Sequence, residues 1–328
     1  MMPQHINPNI FNDTVERVPN RNGFGEGLKA AGEVEKNVVA LCSDLTESTK
    51  VSDFATAFPE RYFEMGICEQ SMASVASGMA AMGKIPFIAS YAMFSPGRNW
   101  EQIRTTIAYN GANVKIIGAH AGVSVGPDGA THQAIEDIAL MRTIPRMVVI
   151  APCDSNEAKK ATMAAATYDG PVYIRLAREK TPVVTTSGSP FTIGKAEIYL
   201  ERNKDHAKKI GIIASGTILH GAMTAAHALN EQGIGVSVMN LATIKPLDTE
   251  AILAFAKDHD ALVTVEEHQV AGGMGSAVAE YLSEVYPTRV VRLGVHDRFG
   301  QSGTPEELVA YYGMDEKEIT KTVHALVD

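Results

Sequence analysis

Short apolar, β-branched runs recur through the first half of the chain, at 38–43, 62–65, 85–90, 114–119, 147–151 and 172–176, each separated from the next by a stretch of helical character. Strands buried on both faces read as continuous apolar runs, so this pattern predicts a parallel sheet with helices on either side. A second series follows. Strands are expected at 210–214, 235–240, 261–266 and 290–293, and helices near 220–232, 249–258, 275–285 and 315–326. Between the two series, TPVVTTSGSP has no periodicity and reads as a linker. The fold class is therefore α/β, with two parallel or mixed-sheet domains. The expected divisions are an N-terminal arm over 1–20, a first domain over 21–180, a linker over 181–192 and a second domain over 193–328.

Polar and aromatic residues fall where such a sheet binds ligands. Asp44 follows the first strand, Glu69 the second, Tyr91 and Phe94 the third and His120 the fourth, while Arg178 lies just beyond the sixth. Ligands of open α/β sheets bind outside the carboxyl ends of the strands, so these residues are expected to converge on one edge. Glu69 stands at the mouth of a helix of Ala, Ser, Met and Gly; the helix dipole alone favours an acid there. A second informative stretch, HAGVSVGPDGATHQ, runs from His120 to Gln133. Its glycines and proline forbid regular structure, yet it carries Asp128 and a second histidine, His132. Imidazole titrates near neutrality, which suits it to proton transfer.

Composition narrows the function. The net charge of -9 and the lack of a basic cluster exclude a nucleic-acid surface. No apolar run approaches the roughly 18 residues of a membrane span, and the N-terminus lacks the basic and apolar regions of a signal peptide. Three widely spaced cysteines suggest reduced thiols and a cytoplasmic location, with Cys68 read as packing. Gly23, Gly25 and Gly27 do not follow a strand, so they are no nucleotide loop. Gly272, Gly273 and Gly275 precede a helix and are read as a close-packing turn rather than an anion cradle. Glu266, Glu267 and His268 lie on one strand and point to alternating faces, so no metal site is expected.

The order Gly-Ile-Cys-Glu-Gln, small-residue helix, strand, Tyr-Ala-Met-Phe and Arg-Asn over 62–102 resembles the pyrimidine-binding domain of thiamine-diphosphate enzymes, most closely the transketolases. The 120–133 loop is similar to the sugar-channel loop of transketolases and deoxyxylulose-phosphate synthases, and the second unit, including 263–282, to the transketolase C-terminal domain. The resemblance implies that Glu69 hydrogen-bonds a ring nitrogen of the aminopyrimidine, driving the tautomer that generates the thiazolium ylid; this needs a carboxyl group held away from water. It implies that Phe94 stacks on the pyrimidine with Tyr91 nearby, and that Asp44 sits near the thiazolium. It further implies that His120 and His132 bind substrate hydroxyls and share proton transfers, and that Asp128 reads a sugar hydroxyl. Arg178 sits where the family binds phosphate, although Arg175 competes for that place, and Arg21 and Ser48 match further phosphate contacts. Gly97 replaces a third pocket aromatic, and Ala121 replaces an acid.

The resemblance covers only the latter half of a full-length transketolase. No Gly-Asp-Gly occurs for the diphosphate and its Mg2+ or Ca2+. The chain is therefore expected to be one subunit of a split transketolase in the pentose phosphate pathway. It would transfer a two-carbon ketol unit between sugar phosphates and act only with an N-terminal, diphosphate-binding partner. A deoxyxylulose-phosphate synthase-like or 2-oxoacid dehydrogenase β-like subunit, or a non-catalytic assembly partner, is the alternative. Ser71, Ser74, Gly78 and Met82 form one stripe of the helix after Glu69, expected to be the homodimer core of an α2β2 complex.

Overall fold

The computed structural model describes residues 2–203 and 206–327; Met1, Lys204, Asp205 and Asp328, which fall within the expected arm and second domain, lie outside the described residues. In chain order the strands are β1 (Arg17–Pro19), β2 (Val38–Cys42), β3 (Tyr62–Glu64), β4 (Ile85–Tyr91), β5 (Lys115–Ala119), β6 (Val148–Ile150), β7 (Val172–Arg175), β8 (Lys180–Pro182), β9 (Glu197–Leu200), β10 (Lys209–Ala214), β11 (Gly235–Asn240), β12 (Thr243–Lys245), β13 (Ala261–Gln269) and β14 (Val290–Val295). Twelve of them form a seven-stranded sheet ordered β12-β6-β7-β5-β4-β2-β3 and a five-stranded sheet ordered β14-β13-β10-β11-β9, and β1 and β8 pair as a two-stranded sheet. Each of the two larger sheets is parallel except at one edge, where β12 and β9 run antiparallel to their neighbours. The strands of the sheet centre, such as β2 and β5, are buried along their whole length, because helices cover both faces.

The two units are less separate than the sequence suggests. Strand β12 leaves the second unit to extend the first sheet beside β6. Three residues are too few for periodicity to reveal, and the pairing is set by tertiary contact. One apolar cluster runs through both units, joining Ile138, Met141 and Ile144 to Met239, Phe255 and Leu282. The stretch read as a linker is fastened down. Strand β8 pairs with β1, and Thr185 is held by Asp154, which accepts from its backbone N–H at 2.6 Å and its hydroxyl at 2.8 Å. The same carboxylate caps the helix Ser155–Thr167 through the Glu157 N–H. The arm is anchored too, since Ile6 and Ile10 are buried in the core. The helix Asn20–Val34 opens the first domain.

The glycine turn at 272–275 holds an anion of the protein's own. The buried Glu266 carboxylate accepts from the N–H groups of Met274 and Gly275 at 2.6 and 2.8 Å, at the start of the helix Met274–Val285. A Cβ on Gly273 would lie 2.4 Å from that carboxylate, so glycine is required for the approach. Among the described residues no helix is long and apolar enough to cross a membrane.

Candidate functional site

The carboxyl ends of β2, β3, β4 and β5 meet at one edge of the seven-stranded sheet. Glu64, the last residue of β3, organises two of these ends. Its carboxylate accepts from the backbone N–H of Asp44 at 2.7 Å and of Gly66 at 2.9 Å. Asp44 and Gly66 both have positive φ, a conformation that local hydrogen bonding must support in a residue other than glycine. Asp44 is exposed, and the contact that places it is through its backbone. Glu64 was not singled out from the sequence; an acid two residues ahead of a glycine turn is the signal it left.

Three residues after Gly66 the helix Glu69–Ala81 begins, with Glu69 itself only 3% exposed. Among the described residues, the side chain that hydrogen-bonds its carboxylate is Ser90 on β4, through Oγ at 3.3 Å. Asn99 fixes the Glu69 carbonyl at 3.1 Å and also donates to Ser95. Glu69 is thus a buried acid with hydrogen-bonding capacity left over. Asn99 was read only as part of the Arg-Asn motif, and the structure gives it the task of positioning the helix start.

Tyr91, next in the chain after the Ser90 that bonds Glu69, belongs to a ring cluster. The Tyr91 and His120 rings stack with centroids 3.9 Å apart, Phe94 lies 6.2 Å from Tyr91, and His132 meets Phe94 edge-on at 5.5 Å. Tyr91 and Ser48 share a hydrogen bond of 2.9 Å between their hydroxyls, and Arg21 donates to the Ser48 carbonyl at 2.6 Å. Burial pushes His120 down to about 3, with the Arg21 and Arg178 guanidiniums and His132 adding to the effect. Its ring is therefore neutral at physiological pH, able to donate from one nitrogen and accept at the other. Burial also lowers Arg21, with Tyr91 opposing and Arg178 reinforcing the shift.

The stability linkage of His120 has a definite sign. An unfolded chain binds a proton near pH 6.5 where the folded site does not, so this contribution is complete above about pH 6.5 and is lost as the pH falls toward 3. Ring-proton chemical shifts of His120 are expected to stay flat between pH 8 and 5; a midpoint near 6.5 would show an open, solvated ring.

The two candidate arginines separate clearly. Arg175 is buried and its Nε pairs with Asp137 at 2.8 Å. Its Nη2 donates to the carbonyls of Ala134 and Glu267, tying the first unit to the second. Arg178 is 30% exposed, donates to the Val125 carbonyl and lies 3.6 Å from Asp128 and 3.5 Å from Glu179. Arg178 can turn toward a ligand, and Arg175 cannot. Gly97, read as replacing a third pocket aromatic, leaves no room for one: a Cβ there would lie 2.0 Å from the Met93 carbonyl oxygen. Cys68 donates to the Met65 carbonyl at 2.7 Å, in keeping with packing.

Residues 16–183 match the transketolase pyrimidine-binding domain and residues 199–319 the transketolase C-terminal domain. The chain is 44% identical to a putative transketolase C-terminal section of Methanocaldococcus jannaschii, over 92% of this chain and 94% of that protein. It is 38% identical to a 6-deoxy-6-sulfo-D-fructose transketolase subunit of Clostridium sp., over 94% of each. A solved split-gene transketolase, described as an inactive β4 tetramer, superposes with a TM-score of 0.86 at 43% identity, covering 94% of this chain and 98% of that one.

Proposed function

Because the chain belongs to the transketolase family and spans its pyrimidine-binding and C-terminal domains, we propose that it is the catalytic C-terminal half of a two-chain transketolase. In this reading it moves a two-carbon ketol unit from a ketose phosphate to an aldose phosphate, once a partner chain supplies the diphosphate-binding domain. The observation that carries the proposal is Glu69, buried with its carboxylate only partly satisfied and bonded to Ser90, whose chain neighbour Tyr91 joins the half-exposed Phe94, His120 and His132 in one ring cluster. That set fits an aminopyrimidine, which offers a ring nitrogen to an acid and a flat face to an aromatic. Bound thiamine diphosphate would supply a nucleophilic carbon for the ketose carbonyl and an electron sink for the pair released when the adjacent carbon–carbon bond breaks.

The chain's own residues would do the rest. Glu69 exchanges a proton with the pyrimidine ring nitrogen, Phe94 gives the stacking face, and Tyr91 keeps Phe94 and His120 in register. His120, neutral, and His132, at the rim, hydrogen-bond sugar hydroxyls and relay their protons, while Asp128 reads a further hydroxyl. Arg178 and Arg21 offer guanidiniums to the sugar phosphate beside Ser48, and Arg178 exchanges its Asp128 contact for the ligand. In this reading Mg2+ or Ca2+ is held mainly by the partner, together with the diphosphate. The decisive test mixes the purified chain with its candidate partner, thiamine diphosphate and Mg2+, and follows glycolaldehyde transfer from xylulose phosphate. Transfer by the mixture and by neither chain alone is the expected result; no transfer with a verified, cofactor-loaded partner would refute the reading.

His120→Ala and His132→Ala should each impair sugar turnover by about 100-fold or more while leaving hydrogen–deuterium exchange at the thiazolium carbon intact. Loss of that exchange in either variant would undo the division of labour between Glu69 and the histidines.

The stripe Ser71, Ser74, Gly78 and Met82 is exposed, with Met82 at 82% and Val75 beside it at 40%. It therefore does not pack within its own domain, which supports a helix-to-helix contact between two copies of this chain. A Cβ on Gly78 meets nothing within 4 Å inside the chain. Gly78→Leu should consequently leave the subunit folded but weaken the contact by about 1–3 kcal/mol through overpacking. Light scattering on the complex measures this, and an unchanged α2β2 mass at dilution would move the interface elsewhere.

A further inference from the structure

The 120–132 loop cannot hold its own shape. His120, Gly122, Gly126 and Gly129 all have positive φ, and the short helical turn Val123–Asp128 is interrupted at Gly126. Its rigidity has to come from outside, and three contacts converge behind it. Gln133, 1% exposed, donates from Nε2 to the carbonyls of Val123 and Gln301, both at 2.9 Å, with Gly126 O a longer third partner at 3.3 Å. Glu267 of β13 accepts from the Ser124 N–H at 3.0 Å and from the Thr217 hydroxyl at 3.2 Å. The segment Gly300–Ser302 passes so close that a Cβ on Gly300 would lie 1.8 Å from Gln133 Oε1, and one on Gly129 would lie 2.7 Å from the Ser302 hydroxyl.

We infer that the second domain sets the substrate geometry of the first: Gln133 and Glu267 are positioning residues that pin the His120–His132 loop from behind. The inference rests on the proposed transketolase reading for its catalytic consequence, but the mechanical part stands on these contacts alone. A primary amide can serve two carbonyls that belong to different domains, and a carboxylate or an alkyl chain cannot donate to them. The loop backbone and the 300–302 segment are thereby locked together at the point where His132 leaves the loop. The neighbouring glycines leave no space for a bulkier brace.

Gln133→Met keeps the volume and removes both donors, and Glu267→Gln keeps the shape and removes the charge that holds Ser124. Amide hydrogen exchange on the full-length isolated chain should speed up about tenfold or more over 120–132 in Gln133→Met, with the remaining amides unchanged. In the reconstituted complex the same variant should raise KM for the sugar phosphates about tenfold with exchange at the thiazolium carbon preserved. Unchanged loop exchange in both variants would overturn the inference, as would a uniform rise across the whole chain, which would mark a purely structural role. If the complex shows no ketol transfer with the unaltered chain, the functional reading fails, while the loop-exchange result still decides the mechanical claim.

Discussion

Glu69→Gln should leave the chain folded and the assembled enzyme close to inert. The amide has nearly the shape of the carboxyl group, so its oxygen still accepts from Ser90 Oγ, and the Asn99 bond runs to the backbone carbonyl, which the substitution does not touch. What is lost is the proton. An amide can neither give one to a ring nitrogen nor take it back, and loss of general acid–base help typically lowers rates by about 100- to 10,000-fold. Turnover of the reconstituted complex and deuterium exchange at the thiazolium carbon should fall together, with the circular dichroism spectrum and denaturation midpoint unchanged. Turnover near that of the unaltered chain would remove the cofactor assignment. A fall in turnover with exchange preserved would instead move Glu69 to the substrate side.

The architecture was legible where burial on both faces writes itself into long apolar runs. The predicted strands at 38–43, 85–90 and 235–240 match β2, β4 and β11 to within a residue. The placement of the candidate residues near strand ends was legible too, because it needs only the strand order. Two kinds of feature were not legible. Strand β12 and the pinned 181–192 stretch depend on partners far away in the chain, Val149 and Ile150 for one and Asp154 for the other. The residues that shape the site without touching it, Glu64, Asn99 and Gln133, left only ordinary polar letters in ordinary places. Each acts through a backbone N–H or carbonyl, and the sequence does not disclose which backbone group lies within reach of a side chain. The same limit left Arg175 and Arg178 unresolved.

Arg175→Met and Arg178→Met should therefore have opposite effects. Removing the Arg175 guanidinium strands the Asp137 carboxylate, whose side chain is 1% exposed, with the Tyr173 hydroxyl at 2.7 Å as its remaining hydrogen-bond donor. It also leaves the Ala134 and Glu267 carbonyls short of a donor at the junction of the two units. Breaking a buried pair from one side typically costs about 3–5 kcal/mol, because the surviving charge is neither solvated nor paired. Denaturant unfolding of Arg175→Met should show a loss of that order, and Asp137→Asn added to it should recover part, since an amide is cheaper to bury than an unpaired charge. Arg178 is different in kind. Its contacts with Asp128 and Glu179 are long and partly solvated, and such pairs contribute about 0–1 kcal/mol. Arg178→Met should leave the unfolding midpoint nearly unmoved and raise KM for phosphorylated sugars far more than for their unphosphorylated counterparts. A stable Arg175→Met chain that loses phosphate discrimination, paired with a destabilised Arg178→Met chain, would reverse the two assignments.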